Sequence, residues 1–243
     1  MRSLRCLVVG LLCAALLAGC RLDAGVAISV DRDGAGTVAL QLVADPELAA
    51  RAEEAGVDPF APLTEVQAPG WTVTAEDRDD GGRTVVARAR FDDPDELASL
   101  TADLAAAVNA PEAQLLEPFA VDLTSDTVTV SGGAALVPTA VVAELGLTPE
   151  EALALLADSV DYRVRVSLPG EVVEAPAGSI EERTVTWQVQ PGERVTVQVV
   201  AERPPPWWLW PAVVGGAAVV LLVVALALWW GRRRPRGAHV ARG

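Results

Sequence analysis

Three times along this chain, two alternating apolar stretches flank a polar turn and a proline-led helix start follows. A chain built this way is confined to hairpins packed against helices. The first copy sets Val26-x-Ile28-x-Val30 and Val38-x-Leu40-x-Leu42 around Asp31-Arg32-Asp33-Gly34-Ala35-Gly36, and Asp45-Pro46-Glu47 then opens a short helix to about Ala55. In the second, Trp71–Ala75 and Thr84–Phe91 flank the acidic turn Glu76–Gly82. Asp93-Pro94-Asp95-Glu96 next caps a helix with Leu97, Leu100, Leu104 and Val108 on one face. A looser third copy has Leu115–Leu123 and Thr127–Val130 around Thr124-Ser125-Asp126, with a helix starting at Thr148-Pro149-Glu150-Glu151. The pattern closes in strands at Tyr162–Leu168, Glu171–Glu174, Thr184–Gln190 and Val195–Val200, with Pro169-Gly170 and Pro191-Gly192 as turns. These features predict an α+β domain, a curved and mainly antiparallel sheet packed against two or three helices.

Apolar segments bracket that domain. At the start, Arg2 and Arg5 precede an apolar run from Leu7 to Leu17, and Leu17-Ala18-Gly19-Cys20 follows. This is the layout of a bacterial lipoprotein signal peptide over residues 1–19, with Cys20 as the lipid attachment site and first mature residue. An ordinary secretory peptide or an uncleaved apolar helix competes with it; Ala18, Gly19 and the polar run after Cys20 favour the lipobox. At the other end, the Pro/Trp linker 204–208 leads into residues 209–230, an uncharged stretch edged by Trp207, Trp208 and Trp210 on one side and Trp229 and Trp230 on the other. Arg232, Arg233, Arg234 and Arg236 follow. About twenty residues at ~1.5 Å each span the ~30 Å hydrocarbon layer, and arginine marks the cytoplasmic side. The expected topology is a cell-membrane protein with residues 20–203 extracytoplasmic, a transmembrane helix at 209–230 and a basic cytoplasmic tail at 231–243. Linkers this short hold both ends of the domain near the bilayer.

Charge and residue usage narrow the function. Cys6 and Cys13 lie in the discarded segment, so Cys20 has no intramolecular disulfide partner and the domain depends on its core. Residues 21–203 hold all 33 acidic residues and 12 of the 19 basic ones, a balance of −21, and the chain has no lysine. Nucleic acid is excluded as a partner, since its binding rests on clustered basic residues. On the same ground an anionic lipid surface is expected to repel the domain, leaving shape and apolar contact to hold any lipid.

The mature ectodomain has no histidine, no lysine and no cysteine beyond Cys20, which removes the usual nucleophiles and bases, and no enzyme activity is expected. The acidic pairs Asp31/Asp33, Glu53/Glu54, Asp79/Asp80 and Glu181/Glu182 fall at turns or element ends, where solvated carboxylates are normal. Asp31-Arg32-Asp33-Gly34 matches the start of a calcium loop, but the later ligands are missing and position 42 is Leu. Neither metal nor cofactor is expected.

Val164-x-Val166-x-Leu168-Pro169-Gly170, Gly178, Glu181, Val185-x-Trp187-x-Val189 and Pro191-Gly192 lie between the lipobox and the C-terminal apolar segment with its basic tail. In this arrangement the chain resembles the actinobacterial LppM family of envelope lipoproteins. The resemblance implies an α/β ectodomain enclosing an apolar cavity associated with lipid or glycolipid binding. No family motif assigns ligand residues here. Trp71 and Trp187 are candidates to line such a cavity, with ordinary core packing as the competing reading. Two functions stay open: a lipid- or glycolipid-binding module, and a non-catalytic tethered scaffold for an envelope protein or cell-wall partner. If Cys20 is acylated and residues 209–230 span the bilayer, Cys20→Ala abolishes metabolic labelling by a fatty-acid analogue while the protein stays in the membrane pellet, because the helix is the stronger anchor. Persistent labelling of the variant would refute the lipobox.

Overall fold

The computed structural model describes residues 20–54, 60, 63, 70–109, 115–136 and 148–203. All of them belong to a single compact unit ending at Arg203. In chain order the elements are β1 (Leu22–Val30), β2 (Gly36–Ala44), α1 (Pro46–Glu54), β3 (Trp71–Asp77), β4 (Arg83–Phe91), α2 (Pro94–Val108), β5 (Ala120–Leu123) and β6 (Thr127–Ala135). They continue with α3 (Pro149–Ser159), β7 (Val160–Ser167), β8 (Val172–Glu174), β9 (Ser179–Glu181), β10 (Thr184–Val189) and β11 (Arg194–Glu202).

The class is α+β as the pattern predicts, but the strands form two sheets. The larger has the order β3-β4-β2-β1-β7-β10-β9 and the smaller β5-β6-β11-β8. Every pairing is antiparallel except that of β1 with β7, which aligns Leu22 with Val160 and Ser29 with Ser167. Period-two alternation gives each sheet one apolar face. In the larger sheet Val26, Ile28, Val30, Val38, Leu40, Val85, Ala87, Val164, Val166, Val185 and Trp187 are buried. In the smaller the buried set is Val121, Val128, Val130, Val197, Val199 and Ala201, and all these side chains join one core. The third hairpin lies outside the main sheet, with β6 paired to β5 on one edge and to β11 on the other.

Helix α2 joins the layers, packing on β4 and β5. Asp93 caps it, accepting the Glu96 N–H at 2.9 Å, while the Glu96 carboxylate accepts the Asp92 N–H at 2.7 Å. Thr148 and Glu151 form the expected capping box at α3; the two hydrogen bonds from Thr148 hold the Glu151 carboxyl below its usual pKa. The acidic segments Asp31–Ala35 and Arg78–Gly82 are hairpin turns closed by Asp31 N–H to Ala35 O at 2.7 Å and Arg78 N–H to Gly82 O at 2.7 Å, with Gly34 and Gly81 at φ +91 and +88. Strand β9 has no counterpart in the sequence pattern. Among the described residues no helix is long and apolar enough to cross a membrane, and residues 209–230 lie outside them.

Thr101 is the polar pin of the interlayer contact. Fully buried on α2, it donates to Leu97 O at 2.8 Å and accepts the Phe119 N–H at 2.9 Å. Thr101→Val keeps the shape but strands that N–H, so a loss of about 1–3 kcal/mol is expected. Thermal melts should fall by roughly 2–4 °C per kcal/mol. Thr101→Ser, which keeps the acceptor, should lose less.

Candidate functional site

Cys20 stands two residues before β1 and is 1% exposed. Burial pushes its thiol pKa up, a shift the nearby Arg51 guanidinium opposes. The next residue is fixed by one carboxylate: Asp45 Oδ2 accepts the Arg21 N–H at 2.7 Å, and the Asp45 N–H donates to Arg21 O at 3.0 Å. Asp45 Oδ1 meanwhile accepts the Leu48 N–H at 2.7 Å and caps α1. The entry of the chain into the sheet is thereby locked to a helix start.

Beside this entry lies a half-open cleft of about 310 Å³, lined by Arg21 and Asp23 of the β1 end, Ala157 to Asp161 where α3 runs into β7, and Gln188 to Pro191 at the β10 end. Its polar groups hold one another. Asp161 accepts Gln188 Nε2 at 2.7 Å and pairs with Arg163, whose Nε donates to Gln188 Oε1 at 3.2 Å. This arrangement suits hydrogen bonding of a polar or hydroxylated group. Asp161 and Gln188 carry no signal in the linear sequence, because only the β7–β10 register brings them together.

Neither candidate tryptophan lines this cleft. Trp187 on β10 is 1% exposed, its indole N–H donates to Pro176 O at 2.9 Å, and a Cβ built on Gly178 would stand 3.0 Å from its ring. That is the packing of a core residue. Trp71 sits on β3 opposite Ala89, half-buried against the core, and its indole N–H is buried without a hydrogen-bond partner among the described residues. The two stand near opposite edges of the larger sheet.

The two-sheet α+β domain, entered at Cys20 and left at Arg203, coincides with a known family. The LppM domain model matches residues 21–203, and the chain belongs to the LppM-domain family. Among solved structures the chain is similar to the folded domain of the Mycobacterium tuberculosis LppM protein determined by NMR. The identity is 17%, 76% of this chain and 91% of that chain are covered, and the TM-score is 0.48. No curated protein matches.

Tyr162, the single tyrosine, stands on β7 beside the cleft with its hydroxyl donating to Leu115 O at 3.1 Å. Burial pushes its pKa well above the ordinary value of about 10. The folded chain therefore keeps a proton that the unfolded chain releases above about pH 10. The contribution is intact below that pH and is lost as pH rises beyond it. In a Cys20→Ala background, which removes the other alkaline group, the urea midpoint is expected to fall from pH 10 upward. Tyr162→Phe should flatten that decline while costing about 1 kcal/mol at neutral pH through the lost hydrogen bond. Circular dichroism at graded pH reads both.

Proposed function

We propose that this chain is a cell-envelope lipoprotein anchored by acylated Cys20 and by a helix at 209–230, and that its LppM domain engages a lipid or glycolipid without catalysing a reaction. The observation that supports the reading is a polar cleft lined by Arg21, the residue after Cys20. A membrane lipid presents its head group at that height, and cleft side chains of the Asp, Gln and Ser types are donors and acceptors for hydroxyls. The apolar part of such a ligand gains about 0.8 kcal/mol per buried CH₂ wherever the domain covers it. Family membership supports the envelope setting. The absence of histidine and lysine from residues 20–203 supports a binding role over a catalytic one.

A second reading, a tethered interaction module, is favoured by one feature. Val173 on β8 and Ile180 on β9 are 63% and 51% exposed, and both strands lie at sheet edges.

The full chain, extracted in detergent and examined by native mass spectrometry, is expected to carry a lipid-mass adduct beyond its covalent acylation. Asp161→Ala together with Gln188→Ala should lower adduct occupancy severalfold. No retained adduct after incubation with any of a series of phospholipids and glycolipids would overturn lipid engagement in favour of the interaction module.

A further inference from the structure

The 12 arginines among residues 21–203 are outnumbered by 33 acids, yet the fold does not spread them evenly. Strand β4 carries Arg88 and Arg90, strand β7 carries Arg163 and Arg165, and a spacing of two turns each pair to one side of its strand. The register puts both pairs on the outer face of the larger sheet. One rung runs Arg88, Ala39, Ala27, Arg165, Thr186; the adjoining rung runs Arg90, Thr37, Ser29, Ser167, Thr184. All four arginines are exposed. Three strand spacings separate β4 from β7, so the pairs stand about 14 Å apart across a floor of small residues.

The residues directly across from Arg88, Arg90 and Arg165 are uncharged. Arg88 faces Ala39 and Thr72 across the strands, Arg90 faces Thr37, and Arg165 faces Ala27 and Thr186. None of these three arginines enters an ion pair among the described residues, whereas Arg163 pairs with Asp161. The acids of this face are Asp23, Asp161 and Glu76 on the rung nearest Cys20, and Glu181 on the edge strand β9.

We propose that this outer face is a membrane-docking surface, on which Arg88, Arg90, Arg163 and Arg165 meet the phosphates of an anionic phospholipid bilayer. The proposal rests on the two anchors of the reading above. Cys20 precedes β1 at one end. Arg203 lies beyond the other end, where its side chain donates to Arg32 O at 3.0 Å and Thr124 O at 2.8 Å. Anchors at both ends keep the domain at the bilayer surface, where the arginines select the face that meets it. Asp31 and Asp92 stand at the strand ends beside the Arg90 rung, two residues from Ser29 and Arg90, so the contact is centred on the Arg88 and Arg165 rung. Each arginine at an anionic surface strengthens association about fivefold.

The test places the full chain in nanodiscs of phosphatidylcholine, alone or mixed with phosphatidylglycerol, and follows phenylglyoxal modification of each arginine by mass spectrometry. Co-elution with the disc is read first and reports the anchors; adduct formation in detergent reports the lipid ligand, so failure of either is separate from failure of docking. Arg88, Arg90 and Arg165 are expected to react at least about fivefold more slowly in the mixed discs, with the difference abolished by high salt. Arg78, in the turn between β3 and β4, should react alike in both. The double variant Arg88→Gln/Arg165→Gln should melt like the parent in detergent and lose the protection of Arg90. Equal rates in both discs, protection independent of lipid charge as a seated protein would give, or protection of Arg90 surviving in the folded double variant would each overturn the proposal.

Discussion

Everything in this domain is referred to the pairing of β1 on both its edges. Antiparallel to β2 and parallel to β7, with every residue from Leu22 to Ser29 paired on both sides, β1 fixes the phase of the strands around it. A one-residue slip would send Val26, Ile28 and Val30 to solvent and the arginines of β7 toward the core. The same strand sets the ends of the domain, because the chain enters at its start and leaves beyond its finish.

The second constraint is the junction between the sheets. α2 lies against β4 and β5, Thr101 satisfies the Phe119 N–H, and the Asn109 side chain accepts Leu115 and Leu116 N–H groups at 2.8 and 3.0 Å while donating to Leu116 O at 2.8 Å. These bonds satisfy backbone that enters the smaller sheet irregularly. Unpaired, each such group would cost about as much as burying a large side chain gains. Gly132 belongs to the same joint: any Cβ there would strike the Phe119 ring. The fit between layers therefore depends on close approach as well as on apolar area.

Local chemistry made much of the fold legible. Asp93, Thr148 and the proline after each announced helix starts, and alternation located every strand long enough to show a period, with ends displaced by a few residues. Strand β9, three residues long, has no period to read. The division into two sheets and the parallel β1–β7 pair were hidden because both arise from partners far apart in sequence. Trp187 was visible as a large apolar residue, but its hydrogen bond to Pro176 and its contact with Gly178 are tertiary facts. The cleft was illegible for the same reason. A balance of −21 counts residues irrespective of face, whereas Arg88-x-Arg90 and Arg163-x-Arg165 already mark two one-sided strands. Only the register sets Arg88 and Arg165 on a shared rung.

The β1–β7 pair also has a consequence for the order of events. A chain emerges from its N-terminus, so β1 and β2 can form a hairpin at once, and β4 can add to β2 soon after. The other edge of β1 must wait for β7, and the sheet cannot close until most of the domain has been made. Non-local pairings of this kind slow folding and leave unpaired edges exposed meanwhile. The strand that ends at the centre of the finished sheet is thus an open edge during most of synthesis, and alternating Val26, Ile28 and Val30 make that edge a template for a neighbouring nascent chain.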